Sequence, residues 1–467
     1  MDSYQYESMT ISTELLQRFD IPGPRYTSYP TADRFVEAFG ESQYQDALLQ
    51  RGHSARSHAF PLSVYVHIPF CTSLCYYCAC NKIITHQYAK ALSYLESLHQ
   101  ELALLSPCLG EGNKVSQLHL GGGTPTYLRD PELKSLMKML GETFSWQEGG
   151  EYSIEVDPRT VDSHRLGTLR ELGFNRLSLG VQDFDPTVQQ AVHREQSFLQ
   201  VETLMRHAAT LGFSSVNLDL IYGLPKQTQS SWTQTIHSVV QLRPERIALY
   251  AYAHLPARFK PQRHILADDL PSAEMKTDML TIALEQLQAA GYVYIGMDHF
   301  ALPEDALAIA KRQGRLHRNF QGYTTQPDCD LIGLGVSAIG NIGATYQQNM
   351  KSLADYQDTL AQGRLPVERG IALSRDDLLR RHVIMAIMCQ GSVSYESVEL
   401  SHLINFKQYF RAELELLADI QEQGLVNLHG GSLEVTAVGW FVVRAIAMVF
   451  DRYLQHDQHR TRFSKII

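Results

Sequence analysis

The chain has 467 residues, a net charge of −9 and 44% hydrophobic residues, a length that suits one large domain plus a smaller one. Charged residues at 19% do not point to disorder. The start, MDSYQYESMT, is polar and acidic and no long apolar run follows, which argues against a signal peptide or membrane span. The acidic balance argues mildly against nonspecific nucleic-acid binding, so a soluble cytoplasmic protein is the expectation.

Residues 1–60 show no long periodic pattern. Within them IPGPRYTSYPTA (21–32) carries prolines and a glycine that forbid a continuous helix. It reads as an extended arm that wraps another part of the molecule, with a short helix near 41–51.

From residue 61 to 365 the pattern changes. Strand signals at SVYVHI (63–68), SQLHL (116–120), YSIEV (152–156), RLSLG (176–180), VNLDLIY (216–222) and RIALYAY (246–252) alternate with helical stretches at 88–105, 131–143, 162–172, 197–211 and 230–241. Successive βα units imply a parallel sheet. Six units are too few for an eight-unit barrel, so a partial (βα)6 barrel is predicted, with YVYIG (292–296), after a helix over 272–290, as an edge strand. In such α/β folds chemistry sits at the C-terminal strand ends. Those ends carry PFC (69–71), GGGTPT (121–126), EVDP (155–158) and GVQD (180–183).

Residues 366–467 read as a mainly helical, winged-helix-like domain. Helices near 375–389 and 408–424 precede a Gly-Gly hairpin, VNLHGGSLEV (426–435), and a final helix from Thr436 to Leu454. No dense basic recognition helix is present, so a structural or lid role is expected.

Four of the seven cysteines lie at 71, 75, 78 and 80. Such crowding suggests a metal site in a reducing compartment rather than a disulfide framework. Cys71, Cys75 and Cys78 form C-x3-C-x2-C directly after the first strand, and three thiolates on one loop can hold three irons of a [4Fe–4S] cluster. The fourth iron then keeps an open site for the amino and carboxylate groups of S-adenosylmethionine (SAM), and one electron cleaves its S–C bond to a 5′-deoxyadenosyl radical. The rival reading, structural zinc with Cys80 as fourth ligand, fits poorly because zinc ligands usually come as two separated pairs. Tyr77 is expected near an adenine ring, loop packing being the bland reading. The glycines of GGGTPT allow close backbone approach to a ligand. Glu155, Gln182 and Asp219 lie at or near strand ends and suit ribose hydroxyls and an amine, although each also suits a cap or turn. Cys108, Cys329 and Cys389 have no neighbours at metal-ligand spacing and read as buried thiols.

The segments RYTSYPTA (25–32), YVHIPFCTSLCYYCACNK (65–82), LHLGGGTPTYL (118–128), IEVDPR (154–159), FNRLSLGVQDF (174–184), DLIYGLPKQT (219–228), YAHLP (252–256), GMDHFA (296–301) and LHRNFQGYTT (316–325) resemble the oxygen-independent coproporphyrinogen III oxidases, radical SAM enzymes of anaerobic haem synthesis. The resemblance runs over nearly the whole chain. It implies one [4Fe–4S] cluster on Cys71, Cys75 and Cys78, and two SAM molecules. The first would meet Tyr65, Gly122, Glu155, Ala253 and Ile339. The second would meet Tyr77, Gly123, Thr124, Gln182, Arg194 and Asp219. Cys80 matches a motif cysteine that matters for activity without ligating the cluster. Tyr77 stands where phenylalanine is common, and Ala79 where glycine is.

The implied reaction converts two propionates of coproporphyrinogen III to the vinyl groups of protoporphyrinogen IX. The radical abstracts hydrogen β to each carboxyl group, and CO2 and one electron then leave. A tetra-anionic substrate needs cations, for which Arg25, His317 and Arg318 are candidates, against the bland reading that they pin loops. The resemblance also implies a monomer, and the cluster needs a low-potential electron donor such as flavodoxin or ferredoxin. A related haem chaperone is the rival function, but those relatives lack the arm and the fourth motif cysteine. A radical SAM enzyme with another substrate, such as a methyltransferase, fits the first half of the chain but not the arm or HRNFQGYTT.

Overall fold

The computed structural model describes residues 13–19, 21–54, 60–110, 113–326, 329–455 and 463, so the polar start lies outside the described part. Each of the six strand signals forms a strand: β1 (Leu62–Ile68), β2 (Lys114–Gly122), β3 (Ser145–Val156), β4 (Arg176–Gln182), β5 (Ser215–Tyr222) and β6 (Arg246–Ala251). They are parallel neighbours in chain order. Helices at Ala89–Leu109, Asp130–Thr143, Ser163–Glu171, Phe198–Thr210, Gln229–Leu242 and Ala273–Ala289 follow them in turn. Several start where a side chain can take up an orphan backbone N–H: Asp162 accepts from Arg165, Ser197 from Gln200 and Thr228 from Ser231.

Residue alternation sets which face of the sheet holds chemistry. Val64, Val66, Leu118, Leu120, Ile154, Leu177, Leu179, Leu218 and Leu220 are buried apolar residues. In the other register Tyr65 pairs with His119, His119 with Ser153, Glu155 with Ser178, and Ser178 with Asn217. One face is therefore apolar, and the other carries a row of polar groups.

Among the described residues the sheet has twelve strands. The expected edge strand is β7 (Val293–Gly296), with β8 (His299–Ala301) antiparallel between it and β6. Beyond β1 the sheet continues with β9 (Asp330–Leu334), parallel to β1, then β10 (Ile339–Ile342), β11 (Thr345–Asn349) and β12 (Val367–Ala372), all antiparallel. This extension was not expected from the sequence, because glycines at 333, 335, 340 and 343 interrupt its apolar pattern. At Gly340 the close packing is the reason, since a Cβ there would stand 2.7 Å from the Leu331 carbonyl oxygen. The last strand of the sheet, Val367–Ala372, lies beyond residue 365.

In the C-terminal region, the helix Arg375–Gln390 begins with a reciprocal cap between Ser374 and Asp377. The helix expected over 408–424 is two, Phe406–Tyr409 and Arg411–Glu422. They are broken at Phe410, whose buried ring lies 4.9 Å from Phe406 and 5.3 Å from Phe450. The hairpin Val426–Leu428 and Ser432–Val435 pairs with Ser392–Ser394 as a three-stranded wing. The single final helix expected from Thr436 to Leu454 is corrected to a 3-10 turn (Gly439–Val442) and two short helices, Val443–Met448 and Arg452–Gln455. Gly439 packs so tightly that a Cβ would collide with the Leu425 carbonyl. Asp451 then restarts the helix by accepting the Tyr453 N–H at 2.9 Å.

The arm is extended and clasped by this C-terminal region. Arg444 donates to the Gly23 carbonyl at 2.7 Å, and Tyr26 donates to Asp451 at 3.0 Å. The rings of Tyr29 and Tyr453 lie 6.0 Å apart. The helix Glu41–His53 is tied to β9 by a buried ion pair, Arg51–Asp330 at 2.9 Å.

Candidate active site

The cluster motif begins at the end of a two-residue strand, Phe70–Cys71, which pairs with Ile83–Ile84. Cys71, Cys75, Cys78 and Cys80 are all free thiols. Cys71 Sγ lies 3.3 Å from Thr124 Oγ1, and burial pushes its thiol up to about 11, the charges of Cys78 and Cys75 adding to the effect. Cys80 hydrogen-bonds Cys78 and, with Lys82, holds its thiol below the ordinary range, which favours a thiolate ligand. Cys80 itself is exposed. Among the described residues no three His, Cys, Asp or Glu side chains gather as ligands of a single ion. Thiolates on separate corners of a cubane need not converge on one atom, and three free thiols on one loop fit that donor set.

Buried charge surrounds Cys75. The Arg194 guanidinium lies 3.5 Å from its sulfur and 3.2 Å from Asp157, and its Nε donates to the Gly180 carbonyl at 3.1 Å. Arg159 donates to Asp157 at 2.7 Å and approaches Cys75 at 3.8 Å. Burial alone would raise the Asp157 carboxyl, but Arg194 and Arg159 hold it below the usual carboxylate range. Asp157 and Arg159, both in the IEVDPR segment, were not singled out from sequence. Asp-x-Arg after a strand end was the available signal.

Above the strands, Tyr65 stacks on His119 with centroids 5.9 Å apart and donates to His67 Nδ1 at 2.9 Å. His67 Nε2 donates to the Asn81 carbonyl at 2.9 Å, and burial lowers its pKa, which favours the neutral ring. Glu155 accepts from His119 at 3.2 Å and from the Gly122 N–H at 3.1 Å. The glycine run makes this possible: a Cβ on Gly121 would stand 2.7 Å from Glu155, one on Gly122 2.7 Å from the His67 ring, and one on Gly123 2.6 Å from the Pro69 carbonyl oxygen. Gly122 also has φ +120, open to glycine alone.

Asp219 accepts from Ser178 and Asn217, each at 2.9 Å, and burial, helped by the charge of Glu155, pushes its carboxyl up to about 6. Gln182 ends β4 with φ 69, and its amide lies close to Gly180 beside Arg194. The Tyr77 carbonyl and the Ala253 carbonyl both accept from the Gln262 amide at 3.1 Å, which ties the cysteine loop to the end of β6. Tyr77 packs beside Val188, Val192 and Leu224. Ile339 opens β10, its backbone held against Gly333 of β9. Asp183 of GVQD is a structural group instead, accepting from Thr235 at 2.8 Å and from Gln227 at 2.5 Å.

Among the expected cations, Arg25 of the arm pairs with Asp298 at 2.6 Å and lies over the Tyr250 ring at 5.2 Å. Arg318 donates to the Arg25 carbonyl at 3.2 Å, across 293 positions of sequence. Its Nη1 is buried without a hydrogen-bond partner among the described residues. His317 precedes it in a short hairpin strand, His317–Asn319, and strand alternation turns it to the opposite face. At the hairpin tip, both amide atoms of Gln321 are also buried without a partner among the described residues. It was overlooked because a glutamine in a turn carries no local signal of its own.

Residues 65–239 match the Radical SAM superfamily, and residues 373–442 match the HemN C-terminal domain. The chain is 49% identical to the oxygen-independent coproporphyrinogen III oxidase of Pseudomonas aeruginosa over 459 residues, covering 97% of this chain and 98% of that one. It is also 49% identical to the Escherichia coli protein of the same name, with the same coverage of both chains. The solved structure of the coproporphyrinogen III oxidase (HemN) from Escherichia coli, described as a radical SAM enzyme, superposes with a TM-score of 0.90, covering 96% of this chain and 100% of that one. The chain belongs to the oxygen-independent coproporphyrinogen III oxidase family of radical SAM enzymes.

Proposed function

We propose that the protein catalyses the oxygen-independent oxidative decarboxylation of two propionates of coproporphyrinogen III to the vinyl groups of protoporphyrinogen IX. One observation carries the reading from the family to this site. Tyr250, at the end of β6, lies under the Arg25 guanidinium at 5.2 Å and feels the charges of Asp219, Arg25 and Arg318. The cations suited to a propionate therefore lie one ring away from the polar pocket suited to SAM.

Cys71, Cys75 and Cys78 hold the [4Fe–4S] cluster, which, when bound, supplies the electron that cleaves SAM to a hydrogen-abstracting radical. Tyr65, Gly122, Glu155, Ala253 and Ile339 orient the SAM on the cluster. Tyr77, Gly123, Thr124, Gln182, Arg194 and Asp219 hold a second SAM. Arg318 and Arg25 orient a substrate carboxylate, Arg318 through its unpaired Nη1. The arm excludes water while the C-terminal region clasps it. Cys80 acts beside the cluster without ligating it.

The protein works as a cytoplasmic monomer and draws electrons from a flavodoxin or ferredoxin. No described helix is long and apolar enough to cross a membrane. The haem-chaperone reading is disfavoured by the arm and by Cys80.

The test is anaerobic reconstitution with iron, sulfide, SAM, a strong reductant and coproporphyrinogen III, followed by assay of 5′-deoxyadenosine and oxidised porphyrins. Protoporphyrin with about two deoxyadenosines per product supports the reading. Deoxyadenosine without protoporphyrin refutes the substrate assignment and leaves the radical chemistry standing.

A further inference from the structure

The cysteine loop has an exposed neighbour whose charge runs against that of the chain. Residues 257–266, ARFKPQRHIL, present Arg258, Lys260, Arg263 and His264 to solvent, in a protein of net charge −9. Leu266 among them is 66% exposed. The segment is fastened to the loop at two points. Gln262 donates to the Tyr77 carbonyl at 3.1 Å, and the His264 ring stacks on Tyr76 with centroids 4.6 Å apart. The exposed ring of His193 also stacks on Tyr76, at 5.3 Å, and His193 Nδ1 donates to the Leu74 carbonyl at 2.8 Å. Tyr76 directly follows Cys75 and stands two positions before Cys78. Asp268 and Asp269 follow the segment in sequence, Asp269 being paired with Lys226 at 2.5 Å, and Glu195 lies two positions after His193.

We propose that this face is the docking surface for an acidic, low-potential one-electron carrier protein. Exposed cations on one short segment, with an exposed leucine and a stacked aromatic triad beside them, suit a small, transient, electrostatically steered encounter. It is fastened to the loop that carries the cluster ligands, through Tyr76 and Tyr77, so an electron arriving there has a short path inward. Each encounter oxidises the carrier by one electron and reduces the cluster by one, with no bond made or broken. The proposal rests on the reading that a carrier protein is the donor.

The test uses the cluster-loaded protein and flavodoxin as the probe, with the triple reversal Arg258→Glu, Lys260→Glu, Arg263→Glu. Binding is measured by titration calorimetry at low and high salt. Electron transfer is followed as the flavodoxin hydroquinone absorbance changes, with dithionite reduction of the cluster as the control. The expected result is binding weakened on the order of tenfold or more at low salt, a difference that closes at high salt, and slower transfer with unchanged dithionite reduction. Unchanged binding and transfer in the triple variant would overturn the docking face. If the unmodified protein neither binds flavodoxin nor accepts its electrons, the donor reading itself fails.

Discussion

Asp157→Asn keeps the size of the side chain and removes its charge. In the folded protein that carboxylate faces Arg159 at 2.7 Å and Arg194 at 3.2 Å, with side-chain exposures of 8% for Asp157, 9% for Arg194 and 22% for Arg159. Removing one member of a buried ion pair typically costs about 3–5 kcal/mol, because the other charge stays buried without its partner. Arg159 retains some access to water, so the lower end applies and the variant should lose ~3 kcal/mol at pH 7. Its carboxyl is held below the ordinary 3.8, so its contribution is present above the unfolded value and is lost as pH falls through the folded value. The variant should therefore lose less stability in acid than the parent. Guanidinium unfolding of the cluster-loaded protein under anaerobic conditions, at pH 7 and in acid, measures both effects. A loss at pH 7 below about 1 kcal/mol, the scale of an exposed pair, would refute the reasoning.

Arg318→Ala should raise the KM for the porphyrinogen on the order of tenfold, the scale of one charge-assisted hydrogen bond, and leave SAM cleavage without substrate unchanged. An unchanged KM removes Arg318 from the substrate site. Gly123→Ala places a Cβ 2.6 Å from the Pro69 carbonyl oxygen, backbone that cannot swing aside, so the cysteine loop must shift. Iron and sulfide content after reconstitution should fall, and full cluster loading contradicts this. Burial pushes the Glu101 carboxyl up from its ordinary 4.5 to about 7 while it accepts from Tyr356 and Asn349, each at 2.6 Å. Its contribution is complete below the unfolded value and is lost as pH rises through about 7, roughly 3 kcal/mol in all. Glu101→Gln should flatten that limb of the stability profile in unfolding at pH 5 and 8, and an unchanged slope argues against the assignment.

What could be read in advance followed from how local each signal is. Short runs such as SVYVHI and VNLDLIY placed β1 and β5, because strand signals act within a few residues; the caps Ser197 and Thr228, equally local, account for where the following helices start. The cysteine loop was legible for the same reason. The β9–β12 extension was not, since its strands are short and interrupted by glycines whose use depends on partners such as Leu331. The final helix failed where Gly439 and Asp451 answer to distant neighbours, Leu425 and Tyr26. Around the site, Arg194 was placed by resemblance alone, and its bonds to Asp157 and Gly180 depend on the turn of the sheet. The Arg25–Arg318 contact joins positions 293 apart and follows no local rule.

The clasp on the arm also has a consequence for biogenesis. Gly23 and Tyr26 are held by residues 421 and 425 positions later. At ordinary rates of translation that gap is roughly 20–80 s of synthesis. Throughout that interval Tyr26 and Tyr29, whose side chains end fully buried, have no seat and expose aromatic surface as the chain emerges. The arm is thus among the last pieces of the pocket to close.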